Sequence, residues 1–268
     1  IPTRDHADLL ANCLNSLDQL DYGGPVELLV IDNGSSQPEA LRLFDALSQR
    51  PLTTVLRWPG AFNFAAMMNF AAAEAQFPFL CLLNNDVEAR DGAWLKAMVR
   101  HARQPGVGAV GARLLYTDGC IQHVGVGIGI GGAAGHVAKG ARPTDRQFAL
   151  WHNATRRVSA VTAACLVIER SRYLAVGGMD AEAFAVDFND VDLCLKLDRA
   201  GLENRVITEA TLIHHESRTR GRDRSGKDLA RFQGELMELR RRWNTQYAQD
   251  PWHSPQFSRQ SERCLLRC

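Results

Sequence analysis

The stretch FPFLCLLNNDVE, residues 77–88, changes character in the middle. Phe77 to Leu83 is a short apolar run of the kind that forms a strand buried on both faces, and Asn84-Asn85-Asp86 ends it abruptly with amides and a carboxylate. Working outward, Phe64–Ala75 reads as a helix, Leu52–Leu56 as a strand, and Leu41, Phe44 and Leu47 as the apolar stripe of a second helix. Before them, Val26–Ile31 is strand-like and stops at the turn formers Asp32-Asn33-Gly34-Ser35-Ser36. Leu9, Leu10, Cys13, Leu14, Leu17 and Leu20 recur at helical spacing. The order is βαβαβ, which implies right-handed crossovers and a mainly parallel sheet covered on both faces. Ligands of such sheets bind beyond the carboxyl ends of the strands. The polar clusters at 2–5, 32–36 and 84–88 all follow strands, so they are expected to gather on one edge as the site.

The second half is less regular. It holds a glycine-rich stretch at 125–135, a strand candidate at Val158–Ile168, and a helix from near Asp190 that turns Val191, Leu195 and Leu197 inward. A strand at Arg205–Thr208, the pair His214-His215, a basic segment Arg218–Arg224 and a helix Leu229–Trp243 follow. No linker divides the chain, so one domain over 1–250 is expected, with 1–112 as the nucleotide-sugar half, 113–250 as the acceptor half, and 251–268 as a tail.

The 268 residues are 46% hydrophobic and carry a net charge of +1, which fits a globular protein with no global field for nucleic acid. Seven cysteines, an odd number without CxxC spacing, suggest free thiols in a reducing compartment, the cytoplasm. The longest apolar runs fall far short of the roughly 20 residues of a membrane span. Ile1-Pro2-Thr3-Arg4 reads as the end of a strand entering a turn, so the natural N-terminus is expected further upstream.

Individually, the motifs admit two readings. Asn84-Asn85-Asp86-Val87-Glu88 suits a divalent cation held by one or two carboxylates and completed by phosphates, but equally a strand-to-helix connection capped by Asp91. Asn189-Asp190-Val191-Asp192 suits a helix N-cap or a general base. His214-His215-Glu216 at a strand end suits a metal ligand or an ordinary surface histidine. Arg218, Arg220, Arg222 and Arg224 are either a solvated loop or partners for phosphate. Two formal matches fail on context. Gly127–Gly132 fits G-x-G-x-x-G without a following helix, and Gly221–Lys227 fits a phosphate loop with Asp228 where a hydroxyl is needed.

Taken in order, seven motifs resemble those of the family 2 glycosyltransferases, in particular the bacterial branch of O-antigen and rhamnan synthesis. They are Ile1-Pro2-Thr3-Arg4, Val30-Ile31-Asp32-Asn33-Gly34-Ser35, Phe62-Asn63-Phe64 with Asn69, Leu83-Asn84-Asn85-Asp86, Gly177-Gly178-Met179-Asp180, Asn189-Asp190-Val191-Asp192-Leu193 and His214-His215-Glu216-Ser217. The resemblance implies a GT-A fold, a Rossmann-like α/β/α sandwich with a mostly parallel mixed sheet. It also implies an inverting transfer from a UDP- or dTDP-linked sugar to a hydroxyl of a glycan or lipid-linked glycan, with Mn2+ or Mg2+ as cofactor. By motif position, Asp32 contacts the base, with Pro2, Thr3 and Arg4 in the same pocket. Asn63 belongs to the donor site, Asn84 and Asn85 lie near the ribose and diphosphate, and Asp86 ligates the metal. Asp190 is the catalytic base, and His214 is a further metal ligand, with His215 as the fallback.

This sequence departs from the pattern at Asn84, where relatives carry Asp, at Asn189 in place of Glu, and at Ala163 in place of Gly. Arg220 and Arg222 are candidates for a lid over the diphosphate, and Arg240-Arg241-Arg242 for peripheral contact with the inner membrane face. A nucleotidyltransferase would need a glycine-rich loop after the first strand, which Pro2-Thr3-Arg4-Asp5 does not offer. A non-catalytic nucleotide-sugar binder is the remaining alternative.

Overall fold

The computed structural model describes residues 1–145, 153–215 and 226–267. The Arg218–Arg224 segment, Glu216 and the Arg220/Arg222 lid lie outside the described residues. In the first half β1 (Pro2–Thr3), β2 (Leu28–Asp32) and β3 (Thr53–Arg57) form a parallel sheet in the order β1-β2-β3, linked by helices α1 (Ala7–Leu17) and α2 (Pro38–Leu47). Leu9, Leu10, Cys13 and Leu14 are the buried stripe of α1. Pro38 opens α2, where its missing N–H would have had no partner. Helix α3 (Phe64–Glu74) starts at Asn63, whose side chain accepts the Ala66 N–H at 2.8 Å.

The next elements are β4 (Phe79–Leu83), β5 (Val87–Ala89), α4 (Trp94–Ala102), β6 (Val107–Leu115), β7 (Ile121–His123), β8 (Val126–Ile128) and β9 (Ala134–His136). They are followed by β10 (Arg156–Val158), β11 (Cys165–Glu169), α5 (Arg170–Ala175), α6 (Asn189–Arg199), β12 (Glu203–His214) and α7 (Lys227–Trp243). Seven of these strands form a mixed sheet in the order β10-β12-β6-β11-β4, with β5 on β12 and β7 on β6. Only β6 and β12 run parallel within it. Strand β11 shows why the sheet is covered on both sides. Leu166 and Ile168 join the core of α3 and α6, while Cys165 and Val167 join that of α4. Each fully buried Leu or Ile stabilises by roughly 1.5–3 kcal/mol.

Three segments differ from the reading of the sequence. Val158–Ile168 is two strands, because residues 159–164 turn across the sheet end. Gly111 of β6 makes room for that turn, since a Cβ there would lie 2.6 Å from Val161 Cβ. The glycine-rich stretch is the hairpin β8-β9 with a short 3-10 turn between its strands. Residues 251–267, read as a tail, pack on the domain. Phe257 and Cys264 are buried with Ile121, Ile130 and Val137, and the Asp250 carboxylate accepts the Ile128 N–H at 2.6 Å.

Two arginines of the basic triplet of α7 are engaged within the domain. Arg242 pairs with Asp180 at 2.8 Å and the fully buried Asp192 at 3.1 Å, Arg240 donates to the Gly132 carbonyl at 2.8 Å, and Arg241 pairs with Glu238 at 2.6 Å. Arg242 is thus a strut joining α7 to α6, while Arg241 stays mostly exposed beside Glu238 of its own helix. No helix among the described residues is long and apolar enough to cross one. The six described cysteines are all free.

An apolar cavity of about 1180 Å³ lies between Leu28, Leu29 and Ile31 of β2 and Phe79–Leu83 of β4. Ile1 stands at its end, its backbone nitrogen donating to the Leu29 carbonyl at 2.7 Å.

Candidate active site

Strand β4 delivers the Asn84-Asn85-Asp86 turn to the sheet edge, and β5 then returns along β12 with Val87 opposite His214. That register brings the end of β12 against Asp86. His215 N–H donates to the Asp86 carbonyl at 2.9 Å, and His214 Nε2 lies 3.1 Å from Asp86 Oδ1. Side chains alternate along a strand, so His215 turns the other way, to Glu88 at 3.0 Å. Of the two histidines, His214 is therefore the one at Asp86. Its Nδ1 is 2.7 Å from Gln122 Oε1, and Asn84 Nδ2 stands 3.5 Å from Nε2. Asp91 accepts the Ala93 N–H at 2.9 Å just ahead of α4, so the turn also serves as the connection its composition suggested.

Pro2, Thr3, Arg4, Asn33, Phe62, Phe64 and Asn84–Asp86 line a cleft of about 350 Å³. Asn85 donates to Thr3 Oγ1 at 3.0 Å, tying β1 to the turn. Asp5 and His6 both have positive φ, 52° and 48°, a strained conformation for non-glycine residues. It is held because Asp5 Oδ1 accepts the N–H groups of Gln37 and Ser36 at 2.8 and 2.7 Å, bonds that also keep its carboxyl below the usual carboxylate range. Asp32 is placed differently from the resemblance's pattern. It is fully buried, with Oδ1 on the Ser35 N–H at 2.8 Å and Oδ2 on Arg57 at 2.6 Å, and it does not line the cleft. Asn33 does, and its Oδ1 is buried without a hydrogen-bond partner. Asn63 is likewise occupied: beyond its cap bond it donates to the Ala181 carbonyl at 2.8 Å.

Asp190 lies in the first turn of α6, where Oδ1 accepts the Val191 N–H at 2.8 Å and Oδ2 the Ala163 N–H at 3.0 Å. The next residue, Ala164, accepts the Asn84 N–H at 3.0 Å. One peptide turn, Thr162–Ala164, thus touches both Asp190 and the Asn84–Asp86 turn. Asn189 is buried and donates to the Val186 carbonyl at 2.8 Å, so it shapes the loop before the helix. Asn69 and the Gly177-Gly178-Met179-Asp180 motif form a lock, and none of them lines the cleft. Asn69 bonds both Met179 backbone groups, at 3.0 and 2.7 Å, and a Cβ on Gly178, whose φ is 63°, would sit 2.5 Å from its Oδ1.

Residues Gln122 and His123 of β7 were not singled out from the sequence. His123 is fully buried, accepts the Thr162 N–H at 3.4 Å and meets His136 Nδ1 to Nδ1 at 2.9 Å. Burial, ahead of the charges of His136, Arg156 and His214, holds it well below the usual histidine range and hence neutral. No signal in the sequence marks these two, because their partners lie 92 and 39 positions away. Among the described residues no three His, Cys, Asp or Glu side chains converge on one point. The residues present fit a divalent cation through the Asp86–His214 pair alone, with oxygens of a bound diphosphate needed to complete the shell.

The profile of the family described as "Glycosyl transferase family 2" matches residues 1–171. Uncharacterized protein y4gI of Sinorhizobium fredii (strain NBRC 101917 / NGR234) is 41% identical over 260 residues, 96% of this chain and 28% of that protein. O-antigen biosynthesis protein RfbC of Myxococcus xanthus is 37% identical over 227 residues, 83% of this chain and 17% of that protein. The chain thus spans less than a third of either relative. N-acetylglucosaminyl-diphospho-decaprenol L-rhamnosyltransferase of Mycobacterium tuberculosis (strain ATCC 25618 / H37Rv) is 26% identical, over 74% of this chain and 69% of that protein. Two solved structures share the fold. Mannosyltransferase PcManGT from Pyrobaculum calidifontis, in complex with GDP-Man and Mn2+, superposes with a TM-score of 0.59 at 19% identity, over 82% of this chain and 56% of that one. GalNAc-T7 with UDP, GalNAc and Mn2+ gives 0.65 at 13% identity, over 84% and 44%. The architecture is GT-A. With its profile covering 171 of 268 residues, the chain belongs to glycosyl transferase family 2.

Proposed function

We propose that this chain transfers a sugar, with inversion, from a UDP- or dTDP-linked donor to a hydroxyl of a glycan or lipid-linked glycan during cell-surface polysaccharide synthesis in the cytoplasm. The observation that carries the reading is the Asp86 to His214 contact of 3.1 Å at the cleft mouth, joined through the Thr162–Ala164 turn to Asp190. The likeness to RfbC and to the mycobacterial rhamnosyltransferase supports the polysaccharide setting.

In this reading the nucleotide lies in the cleft against Pro2, Thr3 and Arg4, and the buried Asn33 Oδ1 accepts an N–H of the base. Asp32 acts behind it by fixing the turn. Asn84 and Asn85 offer amide donors toward the ribose and diphosphate. Asp86 and His214 would hold Mn2+ or Mg2+, which as a Lewis acid neutralises charge on the departing diphosphate. Asp190, already oriented by two backbone N–H groups, accepts the proton of the attacking hydroxyl through an oxygen lone pair they leave open.

A panel of nucleotide sugars with Mn2+ or Mg2+ and glycan acceptors tests this. Nucleoside-diphosphate release that needs both metal and acceptor, is lost in Asp86→Asn, and gives a product of inverted anomeric configuration is the expected result. Donor binding with no release under any pairing would assign the chain as a binder instead.

A further inference from the structure

We propose that His123 is a positioning residue for the transfer: its ring holds the Thr162 N–H, and so sets the turn whose next N–H aims the Asp190 carboxylate; this rests on the reading of Asp190 as the base. The turn lies between β10 and β11, and side chains take its backbone donors. The four consecutive N–H groups from Val161 to Ala164 go in order to Cys194 Sγ at 3.5 Å, His123 Nε2 at 3.4 Å, Asp190 Oδ2 at 3.0 Å and Thr162 Oγ1 at 3.3 Å. His123 and Asp190 thus hold neighbouring donors. Adjoining planar peptides share one Cα and two soft dihedrals, so fixing the Thr162 N–H restricts where the Ala163 N–H can point.

The state of the ring follows from what surrounds it. A backbone N–H only donates, so His123 Nε2 presents its lone pair and the ring hydrogen sits on Nδ1. That hydrogen is given to His136 Nδ1 at 2.9 Å. A charged His123 would carry hydrogens on both nitrogens and turn one of them on the Thr162 N–H. Full burial of His123 favours the neutral ring for the same reason that it holds the group well below the usual histidine range. His136 is placed by the hairpin β8-β9 and by Glu262, which accepts its backbone N–H at 2.7 Å. The same hairpin grips the entry to the turn, where Val126 N–H donates to the Ala160 carbonyl at 2.8 Å. The far end has a separate anchor. Ala164 accepts the Asn84 N–H at 3.0 Å, and Cys165 pairs with Leu83 in the β4-β11 ladder. Loss of the His123 acceptor therefore loosens Thr162 and Ala163, on the Asp190 side, and leaves the Asn84 side in place.

The test uses the 268-residue protein with His123→Leu, which fills the space and accepts nothing, and His123→Gln, whose amide oxygen accepts the same N–H. Proton–nitrogen NMR of wild type reads the His123 tautomer and the coupling across the Thr162 N–H to Nε2 bond, and needs no variant to fold. Titration of UDP and dTDP with Mn2+ present reads nucleotide affinity. Nucleoside-diphosphate release from UDP-hexose or dTDP-rhamnose with glycan acceptors gives kcat. We expect the Nδ1–H form and a measurable coupling. In His123→Leu, kcat should fall about 10–100-fold, the scale of a misplacement of about 1 Å, and in His123→Gln it should stay within about threefold of wild type. Nucleotide affinity should stay within about threefold in both. An Nε2–H ring or no coupling would overturn the inference and leave the base reading standing. So would full activity in His123→Leu, equal losses in Leu and Gln, or a loss of affinity matching kcat, while Asp190→Asn is inactive. Transfer retained by Asp190→Asn, or absent from wild type, would overturn the base reading and this inference together.

Discussion

Replacing Asp190 by Asn separates the proposed chemistry from structure, because the two effects have different sizes. The carboxylate accepts the Val191 N–H at 2.8 Å and the Ala163 N–H at 3.0 Å. Asn offers one oxygen, so its NH2 must face one of those N–H groups and one charge-assisted bond, worth about 1.5–3 kcal/mol, is lost. Against a typical folding stability of about 5–15 kcal/mol the variant stays folded. Transfer, by contrast, loses its proton acceptor and should drop about 10²–10⁴-fold, equivalent to about 2.7–5.5 kcal/mol in the barrier. Urea unfolding gives the first number, nucleoside-diphosphate release the second, and calorimetric titration of the donor sugar should show affinity nearly unchanged. Transfer within tenfold of wild type would refute Asp190 as base. A loss of donor affinity matching the loss of rate would mean that the substitution acts through the Thr162–Ala164 turn.

Arg242→Met removes a cation from the fully buried Asp192. Trp243 Nε1 at 2.9 Å and Lys196 at 3.1 Å remain, so urea unfolding should show a loss of roughly 2–3 kcal/mol, below the 3–5 of an isolated buried pair. Gly111→Ala forces a methyl to within 2.6 Å of Val161 Cβ, and overpacking of about 1–3 kcal/mol should appear as a lower melting temperature, together with slower transfer, because Val161 leads into the Thr162–Ala164 turn. His123 stays neutral when folded but titrates normally when unfolded, so the unfolded state binds more protons in mild acid. The stability this histidine contributes is complete above about pH 6.5 and is lost as pH falls toward its depressed folded value, by up to about 1.4 kcal/mol per pH unit. Urea midpoints between pH 7 and 5 check it, and His123→Gln should flatten that slope.

The sequence reveals a chain segment well where one local rule governs it. Phe79–Leu83 ends in amides, and that alone places Asn84–Asp86 at the sheet edge; likewise Leu212-Ile213 places His214 at a strand end. Strand β6, at the centre of the large sheet, has no such signature, because Gly108 and Gly111 dilute its apolar pattern to fit Leu197 and Val161. The single apolar run Val158–Ile168 hides a turn that only packing against β6 reveals. Asp32 and Asn33 are adjacent and chemically similar. Arg57, 25 positions along the chain, holds one buried carboxylate oxygen of Asp32, while Asn33 reaches the cleft. Arg242 of α7 looks like part of a surface patch until Asp180 and Asp192 arrive from distant segments to meet it.

The apolar cavity beside Ile1 makes the front of this domain mechanically sensitive. Strand β1 contributes two residues at the edge of its sheet, beside the five of β2, and it ends at Thr3, whose hydroxyl accepts from Asn85 of the Asn84–Asp86 turn. The strand's backbone is held by the Ile1 nitrogen on the Leu29 carbonyl and by the parallel ladder of Pro2 and Thr3 along Ile31 and Asp32. A slip of β1 along β2 would therefore be felt at once at the cleft lined by Pro2, Thr3 and Asn85, so the packing around this short strand can tune the site without touching a ligand.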